Sequence, residues 1–480
     1  MQIARQTRNA AAALVFLALT TIASSAQTFT LLASFDKTNG RDPYLAPLIQ
    51  GIDGNFYGET SYGGPNDLGT IFQVTPAGVL TTLHSFSGRD GNQPTGGLVQ
   101  TSNGDFYGTT VSGGGTAVCF SGCGTVFKMT SAGVLTTLHR FMSTDGAYPI
   151  GGLVQGTDGN FYGTTSQRGP NTGNTGTVFK MAPGGVLTTL HDFAGTDGSF
   201  TRAPLIQALD GDFYGVAYSG GIGNTGYGVA FKITASGTLT VLHKFQNGLD
   251  GGSPTGALLQ ASDTNFYGAN PGATVNHQFV YGNVYSMTST GQITTLATFP
   301  KVTDPQQPLA ALIQATDGNF YGTTISGGAY AGGTAFEITS NGTVTVVHSF
   351  CQETSNCGDG AGPQSSLIQA TDGNFYGLTS AGGTSTNCPG GCGTFFSLSS
   401  GLGPFVIPRP SSGALGSKVT ILGTNLTGTT GVSFNGKAAR FRVVSASEIT
   451  TIVPAGATSG TLTVTTPGGV LNSNVAFQIP

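Results

Sequence analysis

Charge and tryptophan are what this sequence has least of. Only 8% of its 480 residues are Asp, Glu, Lys or Arg, and the formal net charge is −4. A surface that binds nucleic acid needs clustered Lys and Arg, so the composition argues against a nucleic-acid partner. The absence of Trp weakens a carbohydrate site built on indole stacking, and other rings would have to replace it. Candidates for that substitution are Tyr62, Tyr148, Tyr227 and Tyr330.

Long apolar runs are missing after the first residues of the chain. The apolar stretch at residues 10–22 follows Arg5 and Arg8 and precedes small residues at 24–26. This order is typical of a secretory signal peptide, which we predict over residues 1–26. The run is shorter than the roughly 20 residues that a transmembrane helix needs, so no membrane span is expected in the mature chain. We therefore expect an exported protein, either periplasmic or extracellular.

Cysteine is also sparse, and its six residues form three close pairs along the sequence. An even number of locally paired cysteines in an exported chain predicts disulfide bonds, each stabilising the fold by roughly 2 kcal/mol. The alternative, a zinc site, is disfavoured because no His accompanies the pairs, so we expect neither a metal nor a cofactor. The predicted pairs are Cys119 with Cys123, Cys351 with Cys357, and Cys388 with Cys392.

What the sequence does contain is a repeat, marked by seven copies of Phe-Tyr-Gly at intervals of 50 to 55 residues. A period of that length fits one four-stranded sheet per copy, as in a β-propeller. Around each copy, four short β-branched and aromatic runs are separated by Gly, Asp or Asn, which predicts strands and turns with essentially no helix. The copies begin at Phe56, Phe106, Phe161, Phe213, Phe266, Phe320 and Phe375.

The four predicted strands, named a to d in chain order, are joined by two fixed and two variable connections. The Gln that ends strand a precedes the Phe of strand b by six residues in every copy, which predicts a tight hairpin. The c–d spacing is constant as well, whereas the b–c and d–a loops vary in length. In an up-and-down sheet these variable loops lie at the same end, together with all six cysteines. Because variable loops on a rigid scaffold commonly carry function, we place the candidate binding face there.

The ends of the repeat array predict a closed ring. The seventh copy lacks strand d, and the segment 29–35 before the first copy has the pattern of one. Pairing that segment with strand c at residues 393–398 would remove two open sheet edges. We therefore predict an all-β chain with a seven-bladed β-propeller at residues 27–402, closed by the N-terminal strand. Short strands with Gly, Pro and Asn turns at residues 403–480 predict an immunoglobulin-like β-sandwich.

Two parts of the sequence resemble known families. The segments Asp-Gly-Asn-Phe-Tyr-Gly-Thr-Thr and Gly-Thr-Val-Phe-Lys-Met-Thr resemble the gloeo/verruco (GloVer) tandem repeat of exported bacterial proteins, over residues 28–400. Residues 416–426, with Val-Ser-Phe-Asn-Gly and Val-Pro-Ala-Gly further on, resemble an IPT/TIG domain. The first resemblance implies no activity. The second implies a spacer or binding role, as in surface proteins and polysaccharide-handling enzymes.

Two sets of polar residues recur with the repeat. Five His residues occupy one position of strand d, and such repetition favours a structural role over a catalytic one. Six Asp residues precede strand a by a constant distance, and they could ring a channel mouth to bind a cation or a polyhydroxylated ligand. The alternative is an Asx-turn that orders each d–a loop. The Asp residues are Asp90, Asp145, Asp197, Asp250, Asp304 and Asp359.

An enzyme needs residues that break the repeat, and the rare Glu residues are the candidates. Glu59 replaces Thr after Phe-Tyr-Gly, and Glu353 lies in the loop that enters the seventh copy. Two carboxylates about 5 to 10 Å apart could hydrolyse a glycosidic bond. Our main expectation is still a non-catalytic exported protein that binds an unknown extracellular protein or glycan at the variable-loop face, or serves a structural role. The alternative is an extracellular polysaccharide hydrolase or lyase that uses acids on the same face.

Overall fold

The computed structural model of the protein consists of β-strands and loops throughout the part of the chain that it describes. No helix long and apolar enough to cross a membrane occurs in that part. The predicted signal peptide at residues 1–26 lies outside the described residues. The described ranges are 27–116, 118–169, 174–222, 226–275, 278–301, 303–352 and 356–479.

Each Phe-Tyr-Gly copy lies in strand b of an antiparallel sheet with the strand order a-b-c-d, and seven such sheets occur in the described residues. We number them by copy. Sheet 1 is Ile49–Gln50, Phe56–Thr60, Thr70–Val74 and Leu80–Ser85; sheet 2 is Val99–Gln100, Phe106–Ser112, Thr125–Met129 and Leu135–Arg140, with Asn92–Pro94 added; sheet 3 is Val154–Gln155, Phe161–Thr165, Thr177–Met181 and Leu187–Asp192. Sheet 4 is Ile206–Gln207, Phe213–Ala217, Val229–Ile233 and Leu239–Lys244; sheet 5 is Leu259–Gln260, Phe266–Asn270, Asn283–Met287 and Ile293–Thr298; sheet 6 is Ile313–Gln314, Phe320–Thr324, Thr334–Ile338 and Val344–Ser349.

Sheet 7 takes its fourth strand from the start of the chain. Its strands are Ile368–Gln369, Phe375–Thr379, Thr394–Leu398 and Phe29–Ser34. Phe29 pairs with Leu398 and Ser34 with Thr394 in an antiparallel register. The predicted pairing of the N-terminal strand with the strand at residues 393–398 is therefore confirmed. It covers the hydrogen-bonding edge of strand c, which would otherwise be open.

The three residues of the repeated motif each have a separate packing role. Gly58 lies so close to the Phe72 ring that a Cβ would approach its Cζ to 2.6 Å, and the corresponding glycines of the other six sheets face the same ring position. The Phe of the motif is fully buried in every sheet. The Tyr ring packs on the Phe of the next sheet. Strand b is therefore enclosed on both faces, whereas strand d is only partly buried.

These Tyr–Phe contacts join the sheets in a cycle. Their ring centroids lie between 3.9 and 4.4 Å apart. The series ends with Tyr376 of sheet 7 on Phe56 of sheet 1, at 4.2 Å. The other pairs are Tyr57–Phe106, Tyr107–Phe161, Tyr162–Phe213, Tyr214–Phe266, Tyr267–Phe320 and Tyr321–Phe375.

Six of the seven Gln residues that end strand a add hydrogen bonds between neighbouring sheets. Gln100 Oε1 accepts from the Ile52 amide at 3.0 Å, and Gln50 Oε1 accepts from the Thr371 amide at 3.0 Å. The same bond occurs at Gln207, Gln260, Gln314 and Gln369. Each of these side chains satisfies a backbone donor of the preceding sheet, which is the structural role that ring repetition suggests.

The C-terminal residues form two further antiparallel sheets around a common apolar core. One sheet is Ile407–Arg409, Lys418–Leu422, Glu448–Ile452 and Phe441–Val443; the other is Lys437–Ala438, Gly431–Phe434, Leu462–Thr466 and Gly469–Asn472. The shared core includes Ile421, Ile449, Phe434 and Leu462. This unit contacts the a–b turns of sheets 1 and 7, where Arg409 Nη2 donates to the Gln50 carbonyl at 2.8 Å and Thr371 shares a 2.7 Å hydroxyl bond with Thr424.

Deleting residues 27–35 from the mature protein is expected to lower the unfolding temperature by roughly 5 °C or more and to cause self-association. The physical reason is that strand c of sheet 7 then presents unpaired backbone groups. Scanning calorimetry and size-exclusion chromatography measure the two effects. A synthetic peptide of residues 27–36, added in trans, should restore the unfolding temperature. An unchanged unfolding temperature in the deletion variant would contradict this account.

Candidate functional site

Three disulfide bonds lie in the variable loops. Two lie in the b–c loops of sheets 2 and 7, and one lies between sheets 6 and 7. All three predicted pairs are confirmed: Cys119–Cys123, Cys351–Cys357 and Cys388–Cys392. Each closes a short local loop, which restrains that loop without linking distant parts of the chain.

The recurring Asp residues bind the recurring His residues. His84 Nε2 lies 2.9 Å from Asp90 Oδ2, and Asp90 Oδ1 accepts from the Ser87 amide at 2.8 Å. Burial raises the pKa of Asp90, but the hydrogen bonds from His84 and Ser87 outweigh it and lower the pKa to about 2. The same pairing joins His139 to Asp145, His191 to Asp197, His243 to Asp250, and His348 to Asp359.

Asp304 differs because strand d of sheet 5 carries Ala297 at the His position. Its carboxylate accepts from the Lys301 amide at 3.0 Å, so it still orders its loop. In all six copies the Asp side chain therefore folds back on its own d–a loop. The role in ligand binding stays a prediction, whereas loop ordering is directly visible.

Glu59 is enclosed by protein. It is 0% exposed, and its Oε2 accepts from the Gly97 amide at 2.9 Å. Within the described residues, its Oε1 has no hydrogen-bond partner. Burial raises the pKa of Glu59 to about 8, so the carboxyl is largely protonated at neutral pH. Glu353, its proposed partner, lies outside the described residues.

A cavity of about 450 Å³ opens on the variable-loop face. Its walls come from the loops of sheets 4, 5 and 6 and from the loop that enters sheet 1. Since sheet 1 touches sheets 2 and 7 in the Tyr–Phe cycle, the cavity joins loops that are not neighbours in that cycle. The lining residues are Tyr44, Leu45, Arg202, Tyr218, Tyr227, Asn247, Gly252, Ser253, Thr255, Pro271, Gly272, Gln307 and Leu309.

Tyr44 reaches the cavity through a one-residue insertion in its loop. In sheets 2 to 7, the d–a loop has a residue of positive φ five positions before the Leu of strand a. In the loop that enters sheet 1, the corresponding residue is Asp42, and it precedes Leu48 by six positions. The extra residue is accommodated at Leu45, which has a φ of 58°. A branched side chain is disfavoured in this left-handed region, so the conformation is strained. The insertion places Tyr44 and Leu45 in the cavity wall.

Arg202 is the charged side chain of the cavity. Its guanidinium carbon lies 4.2 Å from the centre of the Tyr218 ring. The cavity lining includes neither Asp nor Glu. Burial raises the pKa of the Tyr44 hydroxyl, and the nearby Arg202 charge partly opposes that shift. The site therefore combines one cation, three aromatic rings and several neutral hydrogen-bonding groups.

Sequence reasoning found only part of this site. Tyr227 was a candidate ring, and it is 45% exposed at the cavity. Tyr44, Tyr218 and Arg202 were missed because they lie in separate loops, with Tyr44 far from the other two in the chain. Tyr62 is instead covered by Arg41, whose guanidinium carbon lies 4.6 Å from its ring centre.

A second cavity, of about 570 Å³, lies between the C-terminal unit and the a–b turns of sheets 1 and 7. Asp53, Asp372 and Glu448 contribute to its walls. The two Asp carboxylates hydrogen bond to Tyr57 and Tyr376 within their own turns. Among the described residues, no cluster of three or more His, Cys, Asp or Glu side chains could hold a metal ion.

Glu59→Gln is expected to raise the unfolding temperature by a few degrees at pH 8 and to change it much less at pH 5. The folded-state pKa of Glu59 lies above the ordinary value of 4.5, so its stabilising contribution is complete below that value and is lost as the pH rises through about 8. Scanning calorimetry at both pH values measures the effect. If the unfolding temperatures of the wild type and the Glu59→Gln variant changed in parallel with pH, Glu59 would not titrate in this range.

Several solved structures align with this chain. A copper complex of a fungal alcohol oxidase aligns with a TM-score of 0.53 at 11% identity, over 95% of this chain and 99% of the other. A putative 6-phosphogluconolactonase from Bacteroides uniformis aligns at 0.43 and 14%, over 64% and 84%. A putative glucose dehydrogenase from Thermus thermophilus aligns at 0.40 and 13%, over 78% and 100%. At 11% identity, the similarity to the alcohol oxidase concerns the fold alone. The two alignments with TM-scores below 0.5 support no conclusion about this chain.

The repeat itself identifies the family. No curated protein matches this sequence. The sequence model of the Gloeobacter/Verrucomicrobia repeat matches three overlapping regions, residues 18–227, 119–314 and 270–466, which together cover most of the chain. The motif that defines the sheets thus has the recurrence expected of this repeat. The protein belongs to the Gloeobacter/Verrucomicrobia repeat family.

Proposed function

We propose that the seven sheets are the blades of a seven-bladed β-propeller at residues 27–402. The return of the Tyr–Phe contacts from sheet 7 to sheet 1 supports this arrangement, as does the pairing of Phe29–Ser34 with Thr394–Leu398. We further propose that residues 403–480 form an immunoglobulin-like domain of the IPT/TIG type. Its two sheets around one core support that assignment.

The function that we propose is that of an exported, non-catalytic binding protein. The observation that carries this proposal is the cavity at which loops from four different blades converge on the variable face. Concave sites with mixed aromatic and polar walls are the usual form of small-ligand sites. The Tyr–Phe cycle supplies the rigid scaffold on which such loops can differ in length.

Export is supported by the disulfide bonds. Three disulfides are typical of oxidising compartments outside the cytoplasm. The signal peptide at residues 1–26 remains a prediction from the sequence. A periplasmic and an extracellular location both agree with these features.

The C-terminal unit fits a spacer or docking role. It contacts the a–b turns, and these turns lie at the opposite ends of the strands from the b–c and d–a loops. This placement leaves the cavity face open. A ligand could therefore bind the propeller while the C-terminal domain contacts another surface.

The alternative of a polysaccharide hydrolase or lyase has no specific observation in its favour. Glu59 is sealed inside the protein and lines neither cavity. A general acid must reach the glycosidic oxygen, and an enclosed carboxyl does not. Binding without catalysis is thus the simpler proposal.

Screening the mature protein on glycan and peptide arrays is expected to find a ligand that binds at the cavity. Deleting Leu45, which restores the five-residue spacing between the positive-φ residue and the strand-a Leu of sheets 2 to 7, should weaken that binding about tenfold or more because it withdraws Tyr44. Tyr227→Ala should act in the same direction while leaving the loop length unchanged. Surface plasmon resonance with the array hit measures both effects.

The matched control is Leu209→Ser, which alters a residue that is 61% exposed in an a–b turn on the opposite face. Its affinity should equal that of the wild type. Circular dichroism and calorimetry verify that all variants are folded. The absence of any array ligand, or wild-type affinity in both cavity variants, would overturn the binding proposal.

A further inference from the structure

We infer that the cavity on the loop face binds an acidic saccharide, whose carboxylate pairs with Arg202 while its sugar rings contact Tyr44 and Tyr227. This inference rests on the proposed binding function and names its ligand class. Three properties of the cavity carry it: a cation without a salt bridge, a wall of neutral hydrogen-bonding groups, and aromatic rings, of which that of Tyr227 is exposed.

The cation is the selective element. Among the described residues, Arg202 forms no salt bridge, whereas Arg41 in the neighbouring loop is paired with Asp67 at 2.9 Å. The guanidinium of Arg202 lies over the Tyr218 ring, with its Cζ 4.2 Å from the ring centre, in a cation–π contact. Its N–H groups lie in the guanidinium plane and are suited to bind a carboxylate in a bidentate manner.

The rest of the wall does not oppose a negative ligand. None of the lining residues is Asp or Glu, in a chain whose net charge is −4. The cavity lining therefore carries one cationic side chain and no carboxylate, on a protein that is negative as a whole. This contrast favours an anion at Arg202 over a cation, and it limits general attraction of polyanions to the rest of the surface.

The neutral groups favour a sugar over other carboxylates. Asn247, Ser253 and Gln307 bring amides and a hydroxyl to the wall, which can exchange hydrogen bonds with several sugar hydroxyls, whereas the Thr255 hydroxyl donates to the Leu309 carbonyl. The Tyr rings offer flat apolar faces of the kind that pack against pyranose rings. A volume of about 450 Å³ lies in the lower part of the range for small-ligand sites, so it suits a short oligosaccharide rather than a folded protein.

The backbone holds these groups in place before any ligand binds. The non-glycine residues Asp42 and Leu45 on either side of Tyr44, and Ser253 and Gln307 in the facing loops, have φ values between 53° and 58°. Such conformations persist only where surrounding contacts enforce them. The amides of Ser253 and Gln307 are fixed by carbonyls of the preceding blades, those of Tyr227 and Tyr281. A preformed wall reduces the entropy that binding would otherwise cost.

Calorimetric titration of the full mature chain tests this inference. The probes are the trisaccharides of galacturonate, mannuronate and guluronate, each compared with its methyl ester, which removes the charge and keeps the sugar. We expect at least one acid to bind, with an affinity at least tenfold higher than that of its ester. Arg202→Gln should weaken the acid about tenfold or more and leave the weak ester binding unchanged.

The matched control is Arg89→Gln, which removes the same charge from an exposed position in the loop before sheet 2, outside the cavity. It should bind like the wild type. Equal loss in the Arg89 and Arg202 variants would overturn the inference, because it would indicate general charge attraction.

The outcomes separate the inference from the proposed function. A neutral glycan that binds at the cavity with no effect of Arg202→Gln overturns the acidic ligand and leaves the binding function standing. Binding of a sulfated trisaccharide without binding of any uronate overturns the carboxylate assignment in the same way. The absence of uronate binding overturns the inference, and the absence of every array ligand overturns the binding function as well.

Discussion

The contact between the Tyr of one strand b and the Phe of the next is the interaction on which the rest of the structure depends. It joins neighbouring sheets face to face, and it is repeated until Tyr376 meets Phe56. In six of the seven sheets the Tyr hydroxyl donates to an Asp of its own a–b turn, as Tyr162 does to Asp158 at 2.9 Å. The same side chain thus ties a buried interface to a surface turn. Glycine follows Tyr because the strand-c ring occupies the space that a Cβ would need.

This arrangement explains why a chain with so few charges forms a defined structure. Its specificity comes from ring packing, from Gln side chains that bond to the neighbouring sheet, and from His–Asp pairs that hold the d–a loops. The Lys–Asp pairs of the described residues lie within single sheets, as Lys180 is paired with Asp158 at 2.8 Å. Since these contacts repeat from sheet to sheet, the loops on the variable face can differ without changing the scaffold. Tyr44 and Arg202 are residues of that face that do not recur from copy to copy.

The sequence allowed much of the fold to be predicted and little of the site. The strands, the tight hairpins, the disulfides and the pairing of Phe29–Ser34 follow from patterns within a few residues or from matching of the chain ends. Glu59 was singled out because it breaks the repeat, but its side chain lies in a buried interface between two sheets. A sequence position does not reveal whether its side chain points into a cavity or into the core. Tyr44 and Arg202 belong to loops that are distant in the chain, so nothing local linked them.

By itself, the sequence determined the unit of structure, because turn residues and alternating apolar side chains act over short distances. It also determined the number of copies and the strand that completes the last sheet, since each Phe-Tyr-Gly brings its own neighbours. Only the tertiary structure decided which loops converge. That depends on how sheets that are far apart in the chain are arranged around the cycle of Tyr–Phe contacts. The cavity between Tyr44 and Arg202 exists because the cycle closes, and closure is a property of the whole ring rather than of any one repeat.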